Sequence, residues 1–73
     1  MAKETVEVPI SGKIVSVEVK VGDAVKEGDT LCIIESMKME NPIMAPVAGT
    51  IKEVGVSAGK TVTEGDLVAT IEY

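Results

Sequence analysis

The chain has 73 residues, a formal net charge of −5 at pH 7 and Tyr73 as its only aromatic residue. This length allows one domain at most, and an acidic chain with no basic patch argues against nucleic acid as a partner. No apolar stretch approaches the roughly 20 residues of a membrane-spanning helix, so we expect no membrane insertion by the chain itself.

The first half has the composition and spacing of short β-strands. Its valines and isoleucines favour strands because branching at Cβ suits a pleated surface. The predicted strands cover 5–8, 13–21, 24–26 and 30–35. Turns at Gly22-Asp23 and Glu27-Gly28-Asp29 separate them. Over 13–21 the period of two predicts that one face, which carries the alternate valines from Val15 to Val21, points into the core.

The second half repeats the first. A shift of 37 residues aligns the sequence with itself without a gap and gives 12 identities in 27 positions, for 9–35 against 46–72. The repeated units are 3–35 and 40–72, and each unit reads as four strands. The second unit therefore adds a copy of the first strand, followed by strands over 50–56, 61–63 and 67–72. Eight short strands with turns at this spacing indicate a β-sandwich or small barrel, formed by a single domain over 1–73.

Only Ser36-Met37-Lys38-Met39 lies outside both units. Residues 35–40 are good helix formers, so propensity alone predicts a helical turn there. The repeat favours a different structure, because a duplicated unit that folds onto its copy needs a tight hairpin between the two. We therefore predict a hairpin that carries residues 36–39.

Lys38 is the candidate functional residue. An exposed lysine on a hairpin is ordinary solvated surface, but Lys38 lies at the junction of the repeat between Met37 and Met39, whose flexible thioethers suit a recognition surface. A catalytic lysine normally needs burial or a neighbouring cation, whereas the neighbours here are Glu35 and Glu40. Lys38 is better suited to acylation by an external enzyme, and we predict no catalytic residue in the chain itself.

Two other side chains carry expectations. Met44 alternates within a strand and is expected to be buried or half-buried. Cys32 lies in an apolar strand and is expected to be a small buried hydrophobe. A single cysteine and no histidine argue against a zinc site, and the absence of a disulfide framework favours the reducing cytoplasm.

The segment Glu35-Ser36-Met37-Lys38-Met39-Glu40 resembles the attachment motif of biotinyl/lipoyl carrier domains, in particular the biotin carboxyl carrier type. The biotin-type motif is most often Ala-Met-Lys-Met, with Ser36 here in place of the alanine. Pro9-Ile10-Ser11-Gly12, Val21-Gly22-Asp23 and the two Glu-Gly-Asp turns also match, so that the resemblance covers essentially the whole chain.

The resemblance implies a flattened eight-stranded barrel-sandwich of two four-stranded antiparallel sheets with a pseudo-twofold repeat. It implies that a biotin protein ligase joins biotin to Lys38 through an amide, with Met37 and Met39 setting recognition. The residues implied at the cofactor are those of the hairpin: Glu35, Ser36, Met37, Lys38, Met39 and Glu40. Biotin would then shuttle carboxylate between a biotin carboxylase and a carboxyltransferase of a biotin-dependent carboxylase or decarboxylase.

Two alternatives stay open. Lipoyl domains share the fold and usually carry Asp-Lys-Ala around the lysine, so lipoate on Lys38 is the less expected cofactor. An unmodified small β interaction module is the other alternative. The sequence has no alanine- and proline-rich linker before Met1 and no room for a protruding loop, which suggests a compact carrier, either a free-standing subunit or an excised domain.

Overall fold

The computed structural model describes residues 2–73, which form eight strands and no helix. The strands are β1 Lys3–Glu7, β2 Gly12–Val17, β3 Ala24–Val25, β4 Thr30–Ser36, β5 Met39–Met44, β6 Gly49–Val54, β7 Thr61–Val62 and β8 Leu67–Glu72. They build two four-stranded antiparallel sheets in the orders β1-β8-β6-β3 and β5-β4-β2-β7. The predicted all-β fold of two four-stranded antiparallel sheets is confirmed.

The sequence repeat appears as a repeat of strand pairing. Adding 37 to a residue number converts β1, β2, β3 and β4 into β5, β6, β7 and β8, and exchanges the two sheets. The pair Ile14 and Ile34 in one sheet corresponds to the pair Ile51 and Ile71 in the other. Each half therefore contributes two strands to each sheet, and neither half forms a sheet by itself.

The core between the sheets is aliphatic. No buried polar or charged side chain occurs among residues 2–73. The buried core residues are Val6, Val8, Ile14, Val25, Leu31, Cys32, Ile34, Ile43, Ala45, Ile51, Val56, Val62, Val68, Ala69 and Ile71. Burial of each large aliphatic side chain stabilises the fold by about 1.5–3 kcal/mol. Most of these residues occupy matching positions in the two repeats. The expected burial of Cys32 is confirmed.

Close strand contacts and tight turns require particular glycines. A Cβ on Gly12 would collide with the carbonyl oxygen of Glu35, and a Cβ on Gly49 would collide with that of Glu72. Gly28 has a φ of +92° and occupies a turn in which the Asp29 carboxylate accepts the Lys26 N–H at 2.9 Å. Such turns explain why the Gly-Asp pairs recur at fixed spacing.

The predicted faces of three side chains are wrong. The register of β2 shifts between Ile14 and Ser16, and this bulge turns Val15 outward, where it is 42% exposed. β2 ends at Val17, so Val21 lies in the following loop and is 63% exposed. Met44 is 54% exposed because it lies on the outer face of the edge strand β5, beside the buried Ile43.

Candidate cofactor-attachment site

β4 and β5 are joined by the tight hairpin that the repeat predicts. Ser36 and Met39 are cross-strand partners, which leaves Met37 and Lys38 as a two-residue turn. Both turn residues have positive φ, +54° at Met37 and +66° at Lys38. Positive φ at both central positions is the pattern of a type I′ turn, whose twist suits antiparallel strands. The helical turn favoured by local propensity is not formed.

The residues in this turn are not those that stabilise it best. Type I′ turns favour Asn-Gly, because asparagine and glycine tolerate the left-handed conformation. Other L-residues adopt that conformation at a cost of roughly 1–2 kcal/mol each. Met37 and Lys38 are the only non-glycine residues with positive φ among residues 2–73. Backbone strain at an exposed tip points to a role for these two side chains outside the fold itself.

The hairpin projects its side chains into solvent. Met37 is 93% exposed and Met39 is 66% exposed, and Lys38 is also exposed. The one ion pair that the described part of the chain contains joins Lys52 and Glu72, so it does not involve the Lys38 amine. An enzyme in solution can therefore approach the amine and both flanking thioethers.

The base of the hairpin carries two carboxylates that face each other. Glu35 on β4 and Glu40 on β5 are direct cross-strand partners, and both are exposed. Like charges in this arrangement destabilise a sheet. Lys13 on β2 pairs with Glu35 from the other side. Sequence reasoning did not single out Lys13, because only the strand register brings it to the hairpin.

The remaining hairpin residues have smaller roles in the geometry. Ser36 is half-buried at the last rung of the ladder. Asn41, which was not predicted, donates from Nδ2 to the Met39 carbonyl oxygen at 3.3 Å and so supports the strand just after the turn. Neither residue contacts the Lys38 amine through a hydrogen bond in this structure.

Residues 4–71 match the family model described as Biotin-requiring enzyme. The chain belongs to this family. The match spans both repeats, and the hairpin that carries Lys38 lies at its centre. Within residues 2–73 there is no helix long and apolar enough to cross a membrane and no group of His, Cys, Asp and Glu side chains that could hold a metal ion.

Curated proteins and solved structures that resemble the chain include parts of carboxylases and decarboxylases. It is 60% identical over 42 residues to the methylmalonyl-CoA decarboxylase subunit gamma of Veillonella parvula, covering 58% of this chain and 33% of that protein. It is 50% identical over 44 residues to a biotin carboxyl carrier protein of Streptococcus mutans, covering 60% and 34%. The chain thus spans about a third of the length of these curated relatives.

The fold agreement extends over almost the whole chain. The crystal structure of the Kluyveromyces lactis urea carboxylase superposes with a TM-score of 0.89 at 33% identity, and the match covers 99% of this chain and 6% of that one. The family's cofactor, biotin, has one carboxyl group that can form an amide with a primary amine. Lys38 fits this need, because its amine is exposed, lies on a tight turn and is not engaged in an ion pair.

Proposed function

We propose that the chain is a biotin carboxyl carrier domain and that biotin is joined to Lys38 by an amide. The observation that carries this proposal is the exposed lysine on a strained two-residue turn, in a chain that matches the biotin-requiring family. Two relatives support it by their names: one is a biotin carboxyl carrier protein and the other is a decarboxylase subunit gamma. We further propose that residues 1–73 form one such domain.

The chain's own chemistry in attachment is limited to one nucleophile. A biotin protein ligase would supply biotin with an activated carboxyl group. The Lys38 amine then attacks that carbon, an N–C bond forms, the activating group leaves, and the nitrogen loses a proton. Met37 and Met39 would contact the ligase through their exposed thioethers, and the neighbouring Glu35, Ser36 and Glu40 would complete its recognition surface.

The domain then acts by tethering. A biotin carboxylase would load a carboxyl group, which biotin can hold, and a carboxyltransferase would remove it to an acceptor. A covalent arm presents the group to each active site at high effective concentration. The contacts with both partners should be small and transient, because the carrier must leave each site. Catalysis belongs to those partners. We also propose a cytoplasmic location, since Cys32 is a free cysteine.

The first test is the intact mass of the chain after expression with a biotin protein ligase and biotin. We expect the wild type to gain one biotin, and Lys38→Arg to gain none while its thermal unfolding is unchanged. Lys26→Arg, another exposed lysine beside a turn, is the matched control and should gain biotin normally. Biotin retained in Lys38→Arg would move the site elsewhere, and a lipoyl increment with a lipoate ligase would favour the lipoyl alternative.

A further inference from the structure

A groove of about 340 Å³ opens beside the base of the hairpin. It is lined by Lys13, Ile14, Val15, Glu35, Glu40 and Gly59. Lys13 and Glu35 point to the solvent side of the sheet, because their strand neighbours Ile14 and Ile34 are buried. The volume falls at the lower end of the roughly 300–1,000 Å³ that small-molecule pockets enclose.

The internal symmetry provides a reference for this groove. The corresponding residues of the other sheet are Thr50, Ile51, Lys52, Glu72, Lys3 and Gly22. There the Lys52 amine lies 3.4 Å from the Glu72 carboxylate, and Lys3 is the cross-strand partner of Glu72. Glu72 therefore has one lysine in an ion pair with it and a second lysine as its cross-strand neighbour.

The half that carries Lys38 departs from its copy at both lysines. Val15 stands where the other half has Lys52, and Glu40 stands where it has Lys3. Glu35 therefore faces a second carboxylate, and no lysine reaches across from the bulge of β2. The result is an open groove with two carboxylates, one ammonium group and an apolar wall, next to the attachment site.

We propose that this groove binds the ring system of biotin on Lys38 when the arm folds back. The inference rests on the proposed function. The ureido part of the ring has two N–H groups that can donate hydrogen bonds to the carboxylates of Glu35 and Glu40. Its carbonyl oxygen can accept a hydrogen bond from the Lys13 amine. The sulfur-containing part is apolar and can pack on Val15. An added carboxyl group would bring negative charge beside two carboxylates, so the groove favours the unloaded arm.

The arm is long enough for this contact. Glu40 follows Lys38 by two residues, so the rung of Glu35 and Glu40 lies about 7 Å along the strands from the turn. Eleven covalent bonds separate the Lys38 Cα from the ring, which gives an extended reach of roughly 14 Å. The ring can therefore return to the groove with slack in the chain.

The test compares the unmodified and biotinylated chains by NMR, with intact mass confirming complete attachment. We expect amide shifts of Val15, Glu35 and Glu40 to change on biotinylation, with NOEs from ring protons to the Val15 methyls. The corresponding Lys52 and Glu72 amides are an internal control and should not change. Shift changes confined to 36–39 in the fully biotinylated chain would refute binding of the ring in the groove. Failure to attach biotin would instead refute the proposed function.

Val15→Lys closes the groove by design. The substitution reproduces the ion pair of the other half on an equivalent bulged strand, so we expect it to fold and to abolish the NOEs. If the ring occupies the groove half of the time, streptavidin capture of biotinylated Val15→Lys should be about twofold faster than that of the wild type. Lys52→Val removes the ion pair of the other sheet and should leave the capture rate unchanged. Equal rates for all three proteins would contradict the proposal.

Discussion

Replacing Met37 by asparagine should stabilise the fold and slow its modification. The Met37 side chain is 93% exposed, so the substitution removes almost no buried surface. Its φ of +54° is a conformation that costs an ordinary L-residue about 1–2 kcal/mol and asparagine less. Relief of half of this cost gives about 0.5–1 kcal/mol, which raises the Tm of a domain of this size by roughly 2–8 °C.

Thermal unfolding of the unmodified chain, followed by circular dichroism, measures the gain. Met44→Asn is the control, because Met44 is also exposed but has no positive φ, and asparagine there should give no gain. The initial rate of biotin attachment should fall in Met37→Asn, since the ligase would lose one thioether contact. A Tm equal to or below that of the wild type would refute the assignment of strain to this turn.

Three further changes test the fold and the site. Gly12→Ala should lower the free energy of unfolding in urea by about 1–3 kcal/mol, since its Cβ would collide with the Glu35 carbonyl oxygen, and Gly49→Ala should cost a similar amount. Met39→Ala should slow biotin attachment while unfolding changes by less than about 0.5 kcal/mol; a large loss of stability with normal attachment would show that Met39 serves packing. Burial raises the pKa of the Cys32 thiol above its ordinary 9.0. Above pH 9 the thiol therefore ionises more readily in the unfolded chain than in the folded one, and the free energy of unfolding should fall as the pH rises. Urea unfolding at about pH 8 and about pH 10 should show a smaller decline in Cys32→Ala, and an equal decline would exclude the thiol as a cause.

The repeat made most of the fold predictable. The sequence aligns with itself over 27 positions without a gap, and equivalent segments form equivalent strands. This reasoning overruled the helix propensity of 35–40 and correctly gave a hairpin at 36–39. It succeeded because tertiary symmetry constrains a short connection more strongly than intrinsic propensity, which amounts to less than about 1 kcal/mol per residue for ordinary residues.

The faces of individual side chains were less predictable. Alternation places Val15 with Val17, but the bulge between Ile14 and Ser16 changes the face at that point. Nothing in the local pattern of apolar residues marks the bulge. Met44 has an apolar side chain in a strand, yet β5 is an edge strand and its outer face meets solvent. The groove beside the hairpin also depends on pairing across three strands, which a single sequence does not give.

The position of the hairpin in the symmetric fold explains how its residues can be chosen for function. The core ends at Ile34 on β4 and Ile43 on β5, and none of residues 35–40 is buried. At the corresponding place in the other half, Ala2 and Tyr73 exchange two backbone hydrogen bonds of 2.9 and 2.8 Å, as partners equivalent to Met39 and Ser36. In both halves the strand ladder therefore extends to this rung. The fold needs a tight connection between β4 and β5 at this position, but Asn-Gly would supply it with less strain than Met37-Lys38. The identity of these two turn residues is therefore better explained by the proposed attachment at Lys38 than by the fold.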